Sequence, residues 1–202
     1  MKDEPAHWPV VSSAELARGR LVTLRTDKVR TPDDELAERD VVLHPGAVAV
    51  FALDDVQQVL LIRQYRHPVG RLLWEIPAGL RDVTGEPPWA TARRELLEEA
   101  GYRARDWRVL VDYYSSPGFS TERLRVFLAR DLEFVPEAER DFVPADEETQ
   151  LVSAWLPLDE AVRKVFAGEL HNGVAALGVM AGYAARSEGF DRLRPADAPE
   201  EQ

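Results

Sequence analysis

Residues 88–100 combine a clear helix pattern with a high density of carboxylates, and this segment constrains the fold more than any other part of the chain. Prolines at its start and Gly101 after its end are typical of helix termini. Apolar residues recur between them at steps of three and four, namely Trp89, Ala92, Leu96 and Ala100. This spacing predicts an amphipathic helix with one face packed against a core.

Three carboxylates lie on the flank of the same predicted helix. Glu95 and Glu99 stand one turn apart, Glu98 lies beside them, and Arg94 precedes Glu98 by one turn, where the two can pair. Because like charges at this spacing repel, the cluster needs either full solvation or a cation. Carboxylate oxygens are hard ligands that suit Mg²⁺, Mn²⁺ or Ca²⁺. The residues therefore leave two interpretations, a solvated acidic face and a divalent-metal site.

The register of these residues resembles the Nudix box, G-x5-E-x7-R-E-U-x-E-E-x-G-U, where U is aliphatic or aromatic. Every fixed position matches from Glu86 to Tyr102. Six residues, instead of five, separate Gly79 from Glu86, which leaves the helix unchanged and the placement of Glu86 open. The resemblance implies an α+β fold, a Nudix-type αβα sandwich with a mixed sheet and an N-terminal antiparallel strand extension.

Composition sets broad limits on the class of protein. A chain of 202 residues suits one sizeable domain, with or without an appended element. The net charge of −11 argues against nonspecific binding to nucleic acid or to anionic membranes. The chain has no cysteine, which excludes disulfides. It also has no long apolar stretch and no apolar signal core, so we expect a cytoplasmic protein without a membrane span.

Outside the box helix, short apolar strands alternate with turns. The apolar run 47–53 predicts a buried strand, which a turn at Asp54 and Asp55 joins to a strand at 59–62. Further strands are expected near 21–30, 41–43, 107–114, 124–128 and 151–156, and helices at 158–167 and 174–185. We expect a strand extension over 1–44, a Nudix hydrolase domain over 45–194 and a flexible tail over 195–202.

Two further stretches resemble the ADP-ribose pyrophosphatase branch of the Nudix family. The first is Q-Y-R at 64–66, followed by W-E-x-P-A-G at 74–79, and the second is Pro117, fifteen residues beyond Tyr102. The resemblance implies substrate-binding residues at Arg66, Glu75, Pro117, Gly118, Phe119, Ser120 and Glu122. Taken alone, Arg66 also suits a surface salt bridge, and the Pro-Gly pair also suits a plain turn.

The resemblance also implies the residues that carry the chemistry. Metal ligands are expected at Glu95, Glu98, Glu99 and the carbonyl of Ala78, with Mg²⁺ as cofactor and Mn²⁺ as a substitute. Arg94 would orient these glutamates. Similar hydrolases take their general base from the polar loop at 133–149, where Glu148 fits best and Glu147 next, although such a loop is also compatible with simple solvation.

Three functions are consistent with these features. The first is a Mg²⁺-dependent hydrolase that converts ADP-ribose, or a related nucleoside diphosphate sugar, to AMP and ribose 5-phosphate. The second is a Nudix hydrolase of another diphosphate, such as a sugar nucleotide without adenine or a diadenosine polyphosphate. The third is a Nudix-like module that senses ADP-ribose without cleaving it, which the intact box acids disfavour. We also expect a homodimer, since the N-terminal strands have little core of their own.

Overall fold

The computed structural model describes residues 1–140 and 151–200. In chain order the strands and helices are β1 (Val10–Arg18), β2 (Thr23–Arg30), β3 (Leu36–Leu43), β4 (Ala47–Ala52), β5 (Gln58–Arg66), β6 (Arg71–Glu75), β7 (Ala78–Leu80), α1 (Pro88–Ala100), β8 (Tyr102–Tyr114), β9 (Arg123–Phe134), β10 (Val152–Pro157), α2 (Leu158–Phe166), α3 (Gly173–Arg186) and β11 (Arg194–Pro195). No helix in these described ranges is long and apolar enough to cross a membrane.

The chain divides into two compact units. The first contains Met1–Gly46 and Tyr114–Arg123 together with the residues that follow Ala198. The second contains Ala47–Tyr113 and Leu124–Ala198, and it carries the box helix. The division expected from the sequence, into a strand extension at 1–44, a Nudix hydrolase domain at 45–194 and a tail at 195–202, remains a proposal.

The first unit is built on an antiparallel sheet of three strands in the order β1-β2-β3. The sequence predicts the second and third strands but not β1. Every residue of β1 is exposed, so burial imposes no apolar alternation on its sequence. In the same unit the Val42 N–H donates to the Phe119 carbonyl at 2.7 Å, which ties the segment after residue 114 to β3.

The second unit is organised around a five-stranded mixed sheet in the order β11-β8-β9-β4-β7. The fully buried β4 runs parallel to β9 and antiparallel to β7. Successive side chains of a strand point to opposite faces. Accordingly, Val50 packs in the cluster that contains Leu96 of α1, while Phe51 packs in the cluster that contains Val179 of α3. Helices therefore cover both faces, and the predicted αβα sandwich with a mixed sheet is confirmed.

The predicted turn after β4 is confirmed, but the two strands that it connects belong mainly to different sheets. The Asp54 carboxylate accepts hydrogen bonds from the backbone N–H groups of Val56 and Gln58 at 3.0 and 2.7 Å. β4 and β5 share an isolated bridge between Leu53 and Val59. Beyond that bridge, β5 pairs with β6 and β10 in a separate three-stranded sheet.

The residues after α3 return to the central sheet of the second unit. β11 pairs with β8, and the Ala198 carbonyl accepts a hydrogen bond from the buried Arg125 at 2.6 Å. These contacts give Pro195–Ala198 defined partners. The flexibility that the sequence suggests for the tail 195–202 stays a prediction.

Candidate active site

The box helix α1 spans Pro88–Ala100, as the sequence predicts. It ends at Gly101, whose φ of 73° lies in the left-handed region that favours glycine. The expected apolar stripe faces the core, where Ala92 and Leu96 are both 0% exposed. This packing determines the rotation of α1 and thereby the direction in which its carboxylates point.

Gly79 and Glu95 approach each other so closely that position 79 has no room for a side chain. A Cβ atom on Gly79 would lie 2.0 Å from both Cδ and Oε1 of Glu95. Glu95 is 8% exposed and lies against Gly79 of the strand β7. Position 79 therefore requires glycine, because the Glu95 carboxylate occupies the volume that a larger side chain would fill.

Arg94 lies among three carboxylates and connects them. Its guanidinium is 2.7 Å from Glu95 Oε1, 2.9 Å from Glu98 Oε2 and 3.5 Å from Glu86 Oε2. Partial burial acts to lower the pKa of Arg94, but attraction to Glu95, Glu98 and Glu86 outweighs burial and raises this pKa. The predicted pairing of Arg94 with Glu98 is confirmed.

Glu86 joins this cluster despite the longer loop that precedes it. Its carboxylate accepts a hydrogen bond from Thr91 Oγ1 at 2.8 Å, and Thr91 is 1% exposed. The sequence pattern does not reveal Thr91, because one buried hydroxyl inside a helix leaves no mark in the apolar spacing. Its position five residues after Glu86, one turn into the helix, is the signal that could have identified it.

Glu99 lies next to the backbone of β7. The Ala78 N–H donates a hydrogen bond to Glu99 Oε2 at 2.8 Å, so this carboxylate is adjacent to the predicted backbone ligand. Within residues 1–140 and 151–200 no three Asp, Glu, His or Cys side chains are spaced to hold an ion together. The chemistry of the donor set nevertheless fits a divalent cation, since carboxylate and carbonyl oxygens are the ligands that Mg²⁺ and Mn²⁺ prefer.

Arg66 and Glu75, both predicted as substrate-binding residues, form a bidentate ion pair. Arg66 donates from Nε to Glu75 Oε1 at 2.9 Å and from a terminal nitrogen to Oε2 at 2.6 Å. Glu75 is 3% exposed, whereas the Arg66 side chain remains partly exposed. Arg66 thus forms the salt bridge that the sequence also allows. Its partner Glu75 is buried and orients the guanidinium.

The predicted residues from Pro117 to Glu122 belong to the first unit. Pro117, Gly118 and Phe119 form a turn, and Phe119 is 57% exposed. The Glu122 carboxylate accepts a hydrogen bond from Ser115 Oγ and has an oxygen 3.7 Å from His44 Nε2. The turn interpretation of the Pro-Gly pair is confirmed, while a ligand-binding role stays a prediction.

Several hydrogen bonds fix the surroundings of Glu122. The Glu122 N–H donates to Ser120 Oγ at 3.1 Å. His44, whose Nε2 faces Glu122, accepts a hydrogen bond at Nδ1 from the Gly46 N–H at 3.0 Å. The two predicted general bases, Glu147 and Glu148, lie outside the described residues.

Comparison with known proteins identifies relatives over nearly the whole chain. The NUDIX domain model matches residues 43–176. The ADP-ribose pyrophosphatase of Mycobacterium tuberculosis (strain ATCC 25618 / H37Rv) is 47% identical over 192 residues, which cover 94% of this chain and 89% of that protein. The ADP-ribose pyrophosphatase of Bacillus subtilis (strain 168) is 34% identical over 169 residues, which cover 84% of this chain and 89% of that protein.

A solved structure described as an ADP compounds hydrolase matches with a TM-score of 0.74 and 19% identity, covering 93% of this chain and 99% of that one. At this identity the match concerns the fold, and it agrees with the αβα sandwich described above. Together with the family match over residues 43–176 and the intact box on α1, it leads to one conclusion: the chain belongs to the Nudix family.

Proposed function

We propose that this protein is a Mg²⁺-dependent hydrolase that cleaves the diphosphate of ADP-ribose, or of a closely related nucleoside diphosphate sugar, to AMP and ribose 5-phosphate. The observation that carries the proposal is the assembled box on α1, where Glu95, Glu98 and Glu99 are all present and Arg94 contacts two of them. The substrate follows from the relative that is 47% identical and is named an ADP-ribose pyrophosphatase.

Glu95, Glu98, Glu99 and the carbonyl of Ala78 would hold the metal. A bound Mg²⁺ would neutralise the diphosphate oxygens and lower the pKa of bound water. The hydrogen bond from the Ala78 N–H to Glu99 supports this assignment, because it holds a carboxylate beside the backbone of β7. Arg94 positions Glu95 and Glu98, and its positive charge limits the repulsion between them.

The reaction adds one water molecule across the phosphoanhydride bond. An oxygen–phosphorus bond forms to one diphosphate phosphorus while its bond to the bridging oxygen breaks, and the bridging oxygen leaves with the other phosphate. Glu148, or else Glu147, accepts the proton from the attacking water. Both residues precede β10 in the sequence, and their role is carried over from the family resemblance.

Arg66 is proposed to contact the diphosphate while Glu75 holds its guanidinium in position. Two parallel hydrogen bonds from Arg66 to the buried Glu75 support a fixed orientation for a group that can also bind phosphate. The turn at Pro117, Gly118 and Phe119 is proposed to contribute substrate contacts in a similar supporting role, together with Ser120 and Glu122.

Turnover of a substrate panel tests this proposal. ADP-ribose, other ADP-sugars, GDP-mannose and diadenosine polyphosphates are incubated with the protein, with and without Mg²⁺, and the products are separated by ion-exchange chromatography. We expect equal amounts of AMP and ribose 5-phosphate from ADP-ribose, only when a divalent ion is present. Faster cleavage of a substrate without adenine would favour the second function, and binding of ADP-ribose without any cleavage would favour the sensing module.

A further inference from the structure

A cavity of about 440 Å³ lies beside α1 and the first residues of β8, within the second unit. Two indole rings and three guanidinium groups contribute to its lining: Trp89, Trp107, Arg93, Arg94 and Arg103. Its volume falls in the range of small-molecule sites, roughly 300–1,000 Å³. Arg94 is the one residue of this set to which the mechanism above gives a role.

The arginines of this cavity differ in how their charge is compensated. Arg94 is surrounded by the carboxylates of the box. Arg93 and Arg103, by contrast, form no salt bridge with any residue in 1–140 or 151–200. Arg105, two residues beyond Arg103, shows the usual alternative, because it pairs with Glu133 at 3.1 Å.

Arg93 and Arg103 pair with no carboxylate of the described residues, so within that part of the chain they create a local positive potential in a protein of net charge −11. Cationic side chains that line the same small cavity repel one another, and an anion that bridges them would relieve this repulsion. Arginine binds phosphate oxygens with paired donors in a fixed geometry. Arg93 and Arg103 therefore favour a phosphate group in this cavity.

The aromatic walls add a second requirement for the ligand. The Trp107 Nε1–H donates to the Ala104 carbonyl at 2.9 Å, which satisfies its polar group and holds the indole in place. The same ring makes an edge contact with Phe127, with the centroids 6.3 Å apart. On the helix side, the Arg93 guanidinium lies 5.6 Å from the ring centroid of Trp89. Two indoles beside a guanidinium suit a planar ring that can stack.

We propose that this cavity is a second ligand site that binds a phosphate monoester of a planar aromatic group, such as a nucleoside monophosphate. The ring packs against Trp89 and Trp107, and the phosphate accepts hydrogen bonds from Arg93 and Arg103. This assignment concerns binding alone, so it does not depend on the hydrolysis proposed above. Arg94 stays with the glutamates of the box and is not needed for the second ligand.

Nuclear magnetic resonance of the indole N–H groups tests this site directly. The ¹⁵N-labelled full chain is titrated with AMP in the absence of divalent ions, and the signals of Trp89 and Trp107 are assigned with the variants Trp89→Phe and Trp107→Phe. We expect saturable shifts of both signals. The double variant Arg93→Gln, Arg103→Gln should weaken this binding by about tenfold or more.

The matched control is the double variant Arg105→Gln, Arg192→Gln, which removes the same charge from two exposed arginines that do not line the cavity. It should bind AMP as the unchanged protein does. Inorganic phosphate and adenosine are titrated separately, and each should bind at least about tenfold more weakly than AMP, because each supplies half of the recognition.

Three results would overturn the proposal. The first is that AMP leaves the signals of Trp89 and Trp107 unmoved. The second is that the control variant loses as much affinity as the double variant of the cavity. The third is that phosphate or adenosine alone binds as tightly as AMP. If the double variant does not fold, Arg103→Gln alone is compared with Arg105→Gln, and the comparison of the three ligands uses the unchanged protein.

Discussion

The carboxylate of Glu95 occupies the space that a side chain at position 79 would need, with its Oε1 2.0 Å from the position of a Cβ on Gly79. This contact joins strand β7 to helix α1 at the centre of the proposed metal site. Any residue larger than glycine must displace the carboxylate, because the surrounding backbone cannot move away as easily as the tip of a side chain. The glycine at position 79 thus leaves room for the carboxylate of Glu95, a proposed metal ligand, in addition to any effect on the loop.

We predict that Gly79→Ala lowers turnover by about 100-fold, since a misplacement of about 1 Å at a catalytic group costs that much. The fold should persist, because the Glu95 side chain can rotate away from the new methyl group. Turnover and thermal unfolding measured on the same preparation check both parts. Gly173→Ala is the control, since a Cβ there meets no atom within 4 Å. A variant Gly79→Ala with unchanged turnover would contradict the role of this contact.

Glu99→Gln should remove most activity, by about 100-fold or more, and leave the stability nearly unchanged. The glutamine oxygen can still accept the hydrogen bond from the Ala78 N–H, but the charge that binds the cation is gone. Mg²⁺ should raise the unfolding temperature of the unchanged protein and not that of Glu99→Gln, because a ligand of the native state stabilises it. Glu133→Gln, an exposed glutamate away from the box, is the control.

Arg94→Ala should lower turnover by roughly 10- to 100-fold through the glutamates that it positions. Removal of the guanidinium takes away the cation that contacts Glu86, Glu95 and Glu98, so we expect stronger repulsion between these carboxylates and a shift in their positions. Arg94→Lys should restore little, because one ammonium group cannot donate to several carboxylates in the fixed geometry of arginine. Steady-state kinetics over a range of Mg²⁺ concentrations would reveal the defect, and recovery to normal turnover in Arg94→Lys would argue against the positioning role.

Asp112 should make the stability of the fold depend on pH. Burial acts to raise the pKa of Asp112, but hydrogen bonds from Arg125 and Arg194 outweigh burial and lower it below the ordinary 3.8. Because the native pKa is depressed, the stabilisation is complete above pH 3.8 and is lost as the pH falls through the native pKa.

Asp112→Asn should therefore destabilise the protein by about 1–3 kcal/mol at neutral pH. The difference in unfolding free energy between the two proteins should shrink as the pH falls from 3.8 through the lower native pKa, because the carboxyl group is then protonated first in the unfolded and finally in the native state. Urea unfolding at several pH values measures this difference. A difference that is the same at all pH values would show that the charge of Asp112 does not matter.

We predict that the chain forms a homodimer through its N-terminal sheet. β1 exposes apolar side chains along its length, and Leu16 is 58% exposed within the first unit. Such residues are expected to be covered by a second copy. Leu16→Glu should therefore weaken dimerisation, whereas Val83→Glu, in an exposed loop of the second unit, should not. Light scattering at micromolar concentration measures the mass, and a monomer at all concentrations would count against this prediction.

The sequence alone determined the parts of this protein that depend on local pattern. Helix α1, its end at Gly101 and the apolar stripe at Ala92 and Leu96 follow from residue spacing, because a helix repeats every few residues. The buried strand β4 follows from one continuous apolar run. The register of the box residues on this helix indicates the family without any knowledge of distances.

Only the tertiary structure decided the contacts between residues that are distant in sequence. The parallel pairing of β4 with β9, the fit of Glu95 against Gly79 and the pairing of Arg66 with Glu75 join segments whose spacing carries no signal. The exposed strand β1 was missed for a related reason, since burial is what imposes a pattern on a strand. Local spacing reports local geometry, while the shape of a site depends on which distant surfaces pack together.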